Sequence, residues 1–370
     1  MADGDAIIRA EGSRGLSYPL GDPPEPGQAV TVVPGVLWLR LPLPMSLNHI
    51  NVYALEDGDG WTVVDTGVNL PESRAAWDLA LAGPMGGRPV RRVVCTHMHP
   101  DHIGLAGWLC RRFQAPLVMT RLEYVTGRML LADTGRSAPE DAVPFLRAAG
   151  WDADRIETWR REFGQFGRIV APLPSGFRRM SEGDVIRIGT VDTGLGDWRV
   201  VIGQGHSPEH ACLWNEEAGL LLGGDQILPR ISSNVSVFPT EPDADPLGDW
   251  LASLERMKAL LPDDLLVLPS HGEPFVGVQP RLDALIRGHH TALKRLERTL
   301  RQPSRAIDVF PALFARAVGE GVVGMATGEA LAHLNYLEQR GRASRTRDAD
   351  GVDWWIATAH PHGIIDGEKA

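Results

Sequence analysis

Hydrophobic and polar residues alternate along the first third of the chain in a way that predicts strands and helices in turn. Short β-branched or aromatic runs at 30–43, 50–58 and 60–67 are separated by turn residues, which is typical of strands. The Asp-Gly-Asp-Gly sequence at 57–60 lies between two such runs and predicts a hairpin. Helical periodicity follows at 73–83 and, after one more strand, at 102–113, so we expect sheets covered by helices.

The pattern changes between residues 118 and 180, where three short helical segments follow one another without a strand between them. Strands resume from 184 and continue to 272. The helical block is therefore interpreted as an insertion in a β-rich domain. It could form a cap over an active site, or it could pack against the outer face of a sheet, and the sequence favours neither.

The last part of the chain is predicted to form a small, separate module. From Gln279 a helical stripe is apolar on one face, and Thr327 is predicted to cap a later helix that ends at Gly341. A hairpin turning at Asp350-Gly351 follows, and helices followed by such a hairpin resemble a winged-helix module. The predicted parts are an irregular arm, a hydrolase body, the winged-helix-like module and a tail: 1–28, 29–278, 279–358 and 359–370.

Composition limits the class of protein further. The chain has 370 residues, 43% of them hydrophobic, which is enough for a sizeable core. The cysteines, Cys95, Cys110 and Cys212, are too few and too widely spaced for a disulfide framework. With no long apolar run and no basic leader, the expectation is a cytoplasmic protein without a membrane partner. A homodimer stays open, because the arm or the C-terminal helices could each form an interface.

The chemistry is concentrated in Thr-His-Met-His-Pro-Asp-His at 96–102. This stretch joins a predicted strand to a predicted helix, so its side chains can converge on a common point. His97 and His99 can reach one metal ion, and Asp101 and His102 can reach a second. Three more donors each follow a predicted strand downstream, which would bring them to the same sheet edge: His206, Asp225 and His271.

These pieces, in this order, resemble the metallo-β-lactamase superfamily. The matching segments are VVDTG, THMHPDH, GHSPEH, GGD and SHG, within 63–272. The resemblance implies an α+β protein with a four-layer αββα fold and two divalent metal ions at its edge. It assigns one ion to His97, His99 and His206, the other to Asp101, His102 and His271. It makes Asp225 the bridge between the ions and gives Asp65 the task of orienting a ligand.

Two departures from the family pattern are present. Leu105 replaces the second of two usual glycines, and Glu209 stands where glycine is common. Neither removes a ligand.

Zn²⁺ fits this donor set best, with iron or manganese as alternatives. Two such ions can supply hydroxide at neutral pH, and Asp101 is placed to orient it or accept its proton as the catalytic residue. We therefore predict a metal-dependent hydrolase of esters or thioesters, such as acyl-CoA or glutathione thioesters. Candidate substrate contacts are Arg230, Asn234 and Tyr124.

Nucleic acid cleavage is the alternative. Residues 281–347 contain 12 Lys and Arg and 6 Asp and Glu, a net charge of +6 within a chain of net charge −10. Such a basic module could hold nucleic acid phosphates. It could equally hold the phosphates of a coenzyme A carrier, or pack against the acidic body.

Overall fold

The computed structural model describes residues 15–44, 47–190 and 192–358, so the predicted tail at 359–370 lies outside it. Two sheets form the body. The first has seven strands in chain order. These are β1 Ala29–Val33, β2 Val36–Pro42, β3 His49–Asp57, β4 Gly60–Val64, β5 Val90–Val94, β6 Leu117–Met119 and β7 Arg178–Arg179. The second has six strands in the order β13-β12-β11-β10-β9-β8. These are β8 Val185–Arg187, β9 Asp197–Gly203, β10 His210–Asn215, β11 Leu220–Gly224, β12 Leu266–Pro269 and β13 Phe275–Val276.

Helices cover the outer face of each sheet and build the C-terminal module. The α-helices are α1 Pro71–Ala82, α2 Pro100–Ile103, α3 Ala106–Phe113, α4 Arg121–Ala132, α5 Val143–Ala148, α6 Ala153–Glu162, α7 Pro246–Leu260, α8 Val278–Thr299, α9 Phe310–Leu313 and α10 Val323–Gln339. Short 3₁₀ turns lie at Glu140–Ala142, Phe166–Arg168, Ala306–Val309 and Glu320–Val322. A hairpin of β14 Ala343–Arg347 and β15 Asp353–Ala357 follows α10.

The strands bury both faces, as a four-layer fold requires. In β3, Val52 and Ala54 belong to the core under α1 and α3. The alternate residues Tyr53 and Leu55 belong to the core between the two sheets. A third core lies between the second sheet and the helices α7, α8 and α10. The predicted α+β fold with αββα layers is confirmed.

The helical block at 118–180 is divided between the two helical layers. Its ends are the strands β6 and β7, which add to the first sheet. Helix α4 packs beside the first sheet, where Gly127 lies against Ile103 and Met98. The segment carrying α5 and α6 packs instead on the C-terminal module, where the Trp151 indole donates to Thr327 Oγ1 at 3.0 Å.

One prediction for the C-terminal module is wrong. Thr327 does not cap a helix, because α10 already begins at Val323. Its hydroxyl donates to the carbonyl of Val323 one turn earlier, and so it is satisfied within the helix. Gly341 follows the helix with a positive φ of 66°, as predicted for a residue that ends it.

Within the described part of the chain, we find no helix with the length and apolar character needed to cross a membrane.

Candidate metal centre

Four loops meet at one edge of the sandwich because each leaves the end of a strand that points there. Residues 96–102 follow β5, and the loop carrying His206 follows β9. Asp225 directly follows β11, and His271 follows β12, which runs parallel to β11. The carboxyl ends of parallel strands share an edge, so these two loops are adjacent by topology.

Three histidines converge on one side of this edge. We call them the three-histidine group: His97, His99 and His206. The Nε2 atom of His97 lies 2.8 Å from His99 Nδ1 and 3.2 Å from His206 Nε2. All three nitrogens are within 4.8 Å of one another, the arrangement that a single metal ion needs.

A second set of donors lies alongside. We call it the aspartate–histidine group: Asp101, His102 and His271. Asp101 Oδ2 is 3.6 Å from His102 Nε2 and 3.3 Å from His271 Nε2. Asp225 lies between the two groups, with Oδ1 3.5 Å from His271 Nε2 and Oδ2 3.5 Å from His206 Nε2. This is the position that a bridging ligand would occupy.

Two atoms at the centre fit a metal better than they fit the protein alone. His102 Nε2 and Asp225 Oδ1 are buried 3.5 Å apart, an ion-pair contact, but neither makes a hydrogen bond to any described residue. An unpaired buried polar atom is costly, and a divalent ion between the two groups would satisfy both. Imidazole nitrogens and carboxylate oxygens are also the ligands that zinc, iron and manganese accept.

The ring orientation of three histidines is set by an acceptor on the far side of each ring. His102 Nδ1 lies 2.8 Å from Asp65 Oδ2, and His206 Nδ1 lies 2.7 Å from the Asn234 carbonyl oxygen. His271 Nδ1 lies 2.9 Å from the carbonyl oxygen of His49. A carbonyl can only accept, so Nδ1 of His206 and of His271 carries the hydrogen. Their Nε2 lone pairs are then free to face the centre.

The charges of the two groups differ. Burial, together with the neighbouring histidines, lowers the pKa of His97 well below its usual range and that of His99 to about 3. Burial also opposes the charged form of His271, but Asp225 and Asp101 outweigh it and raise its pKa to about 10. His97 and His99 are therefore neutral near pH 7, whereas the negative charge of Asp101 and Asp225 is paired with protons on His102 and His271 when no cation is bound.

Asp65 has a strained backbone that its position requires. Its φ is +61°, a left-handed conformation uncommon outside glycine, asparagine and aspartate. This conformation lets Oδ1 accept the Thr96 amide at 2.8 Å while Oδ2 accepts His102 Nδ1. The same carboxylate thus fixes the start of the 96–102 loop and one of its ligands.

Replacing Asp65 with asparagine is expected to weaken metal binding by the aspartate–histidine group about 10–100-fold. Asparagine tolerates the same φ, but its NH₂ must face either His102 Nδ1–H or the Thr96 amide, both of which are donors. Competition with a chelator measures the affinity. Asp57→Asn is the control, because Asp57 accepts from Thr62 and Arg92 on the same sheet, away from the loops. Equal affinities in both variants would contradict the orienting role.

Glu123 is a site residue that the sequence prediction missed. It is fully buried at the start of α4 and joins the two loops that carry the three-histidine group. Its Oε2 accepts the Met98 amide at 2.9 Å, and its Oε1 accepts both the Ser207 hydroxyl and the Glu209 amide at 2.7 Å. Burial raises the pKa of Glu123, and these three donors oppose that rise. The available signal was an acidic residue on the same helix face as Gly127, a face that packs inward.

Three other residues contribute through contacts that a sequence does not reveal. His210 Nε2 accepts the backbone amide of Asp225 at 3.0 Å and so holds the start of that loop. Gly224 makes room for it, because a Cβ there would lie 2.4 Å from the His210 ring. Glu209, one of the departures from the family pattern, accepts the amide of Leu122 at 2.9 Å and so ties the histidine loop to α4.

The three candidate substrate contacts are all engaged within the protein. Arg230 donates to Glu273 Oε2 at 2.9 Å, and the Asn234 side chain donates to Glu329 at 2.7 Å. The Tyr124 hydroxyl donates to the carbonyl of Pro174 at 2.7 Å. Their use by a substrate stays a prediction.

Comparison with known proteins shows two matching family models. Residues 46–271 match the model described as the metallo-beta-lactamase superfamily. Residues 293–358 match the model described as the metallo-beta-lactamase-like C-terminal domain.

Relatives extend the similarity over most of the chain. A protein named probable metallo-hydrolase YqjP, from Bacillus subtilis, is 29% identical over 82% of this chain and 92% of its own length. A crystal structure of a beta-lactamase domain protein from Burkholderia ambifaria has a TM-score of 0.84 and 39% identity, covering 94% of this chain and 99% of that one. A metallo-beta-lactamase family protein from Thermus thermophilus has a TM-score of 0.74 and 27% identity, covering 89% and 100%. Both the body and the C-terminal module have counterparts in these proteins.

Proposed function

The chain belongs to the metallo-beta-lactamase superfamily, and from this premise we propose that it is a binuclear metal-dependent hydrolase of esters or thioesters. The observation that carries the proposal is a pair of buried atoms, His102 Nε2 and Asp225 Oδ1, that make no hydrogen bond among the described residues and lie at the centre of seven converging ligand side chains. Two divalent ions, most fittingly Zn²⁺, would lower the pKa of a water molecule and polarise a carbonyl there.

The residues around the centre divide the remaining work. Asp225 and the five histidines would bind the ions. Asp65, Asn234 and the His49 carbonyl orient the rings of His102, His206 and His271, respectively. Asp101 is the candidate catalytic residue, because its side chain is 18% exposed, against 10% for Asp225. With one carboxylate oxygen on the metal side, the other oxygen of Asp101 can accept a proton from the attacking water or orient that water by a hydrogen bond.

Three exposed apolar side chains lie on or beside segments that contact the loops of the centre. Leu122, whose amide is bound to Glu209, is 47% exposed. Phe238 is 54% exposed, and Met325 is 51% exposed beside the segment that carries Asn234. Ligand sites are lined mostly by apolar side chains, so we take these three as candidate contacts for the apolar portion of an acyl substrate.

A phosphodiesterase is the second candidate, and one cleft favours it. The cleft has a volume of about 620 Å³ and is lined by Lys294, Arg298, Arg301 and Arg342, together with Glu297, which pairs with Arg342 at 2.8 Å. Lys294 and Arg298 lie on α8, the helix whose His289 contacts Ser232 of the loop that follows Asp225. Other basic residues of the module pair with the body instead, Arg340 with Asp245 and Arg345 with Asp243. This pairing matches the packing interpretation of the basic charge, so we rank nucleic acid second.

A substrate panel tests the proposal. We expect the metal-loaded protein to hydrolyse acyl-CoA thioesters, glutathione thioesters or simple aryl esters, and to lose this activity on chelation. Single-stranded RNA, with the same metals, is the comparison substrate. Thioester and ester turnover at background level together with clear RNA cleavage would contradict the first candidate and support the second.

A further inference from the structure

One loop joins the metal centre to the C-terminal module. We call residues 226–236 the connecting loop. It starts directly after Asp225, and the Ser233 hydroxyl donates back to the Asp225 carbonyl. At Asn234 the backbone carbonyl accepts Nδ1–H of His206 at 2.7 Å. The connecting loop therefore contacts a candidate ligand from each side of the centre.

The helices of the C-terminal module hold this loop from the other side. Arg281 of α8 is buried and donates to the carbonyls of Leu228 and Ile231. Ser232 lies 3.2 Å from Nε2 of His289, also on α8. The loop carries few backbone hydrogen bonds of its own, so these side chains supply acceptors and donors that regular structure would otherwise supply.

The contact closest to a ligand is made by Glu329 of α10. Its side chain is buried, with 2% of the residue exposed, and Oε2 accepts the Asn234 amide nitrogen at 2.7 Å. The Ser236 hydroxyl donates to the other end of the same amide at 2.5 Å. The amide of Asn234 is therefore held at both ends, and its backbone carbonyl has little freedom to turn away from His206.

Burial raises the pKa of Glu329 to about 8, with the hydrogen bond from Asn234 opposing the rise. At neutral pH the side chain is therefore mostly an uncharged acceptor. Glutamine has the same shape and can accept the same hydrogen bond, so it is a matched replacement.

We propose that Glu329 is a positioning residue of the metal centre, which fixes Asn234 so that the Asn234 carbonyl orients His206 towards the three-histidine group. The C-terminal module then contributes to the geometry of the metal centre, in addition to packing against the body. This inference rests on the proposed function in that it takes His206 to be a metal ligand. Acceptors behind ligating histidines are known to influence metal affinity, and here the acceptor is itself held by another module.

The test compares three variants of the full chain by metal affinity, measured by chelator competition, and by the visible absorption of the cobalt-loaded protein. Glu329→Leu removes the acceptor. We expect it to lower the affinity for the ion at the three-histidine group about 10-fold and to change the cobalt spectrum. Glu329→Gln keeps the acceptor and should restore both to within about 2-fold of the parent. Asn335→Leu is the control, since Asn335 lies on the same helix and binds the carbonyls of Pro242 and Ala244, away from His206.

The proposal is overturned if Glu329→Leu leaves affinity and spectrum unchanged, or if Asn335→Leu alters them equally, because general loosening of the module would then be the cause. It is also overturned if Glu329→Gln is as impaired as the leucine variant. Should Glu329→Leu fail to fold, Asn234→Ala removes the same contact from the body and has the same expected result. A parent protein that binds fewer than two ions would instead contradict the proposed function.

Discussion

Asp225→Ala is expected to reduce bound metal from two ions to one or none and to lower turnover by roughly 10²–10³-fold or more. Asp225 lies between the two groups of ligands, and its two oxygens face opposite sides of the centre. Alanine removes a donor from both ions at once, and it leaves the neighbouring histidines facing each other across an empty space. Elemental analysis after gel filtration measures the metal, and hydrolysis of the best substrate of the panel measures the rate.

Asp353→Ala is the matched control for that variant. Asp353 is also a buried carboxylate, but it lies in the C-terminal hairpin and pairs with Arg347. Its loss should lower stability without changing the metal content. If Asp225→Ala retained two tightly bound ions and the full rate, Asp225 would not be the bridge.

Glu123→Ala has the second largest expected effect, on both stability and metal affinity. It removes three hydrogen bonds to one buried carboxylate and leaves the amides of Met98 and Glu209 without an acceptor. We expect the free energy of unfolding to fall by about 2–5 kcal/mol, because unsatisfied buried donors cost about 1–3 kcal/mol each. Metal affinity of the three-histidine group should fall about 10–100-fold, because both of its loops lose a common anchor. Chemical denaturation and chelator competition measure the two effects.

Two further variants make that prediction specific. Glu123→Gln can still accept from Ser207 and Glu209, but it turns an NH₂ towards the Met98 amide, so an intermediate effect is expected. Glu182→Ala removes an exposed carboxylate that accepts the backbone amide of Ile202, and it should change stability by about 1 kcal/mol or less without altering metal affinity. A Glu123→Ala variant with unchanged metal affinity would show that the anchor is structural alone.

The sequence predicted which side chains would converge because each follows a strand directly. His206, Asp225 and His271 come just after apolar runs, and runs of that kind form neighbouring strands that end at one sheet edge. The strand–helix alternation predicted only sheets covered by helices. The four-layer αββα arrangement came from the resemblance to the metallo-β-lactamase superfamily, because the alternation alone does not specify how the layers stack.

Apart from Asp65, which the family resemblance supplied, the residues behind the ligands could not be predicted in the same way. Glu123 and Glu329 lie on helices, 84 residues from Ser207 and 95 from Asn234, their respective partners. No local pattern specifies a contact over that separation, because it depends on how whole layers pack. Thr327 is the opposite case. Its sequence context is a plausible local signal for a helix start, but in the structure the helix begins one turn earlier. There the Thr327 hydroxyl bonds to Val323 and accepts the Trp151 indole.

The contact between Trp151 and Thr327 also constrains the order in which the chain can fold during synthesis. It joins residues 176 positions apart, and the core around it contains side chains from Val143 through to Trp355. The ribosome releases a chain from its N-terminus, so α5 and α6 must wait, with their apolar faces uncovered, until α10 has emerged. Closing so long a loop is slow compared with forming local helices. The segment 306–355 therefore covers the apolar faces of α5 and α6, and a nascent chain that lacks it would expose those faces to chaperones and proteases.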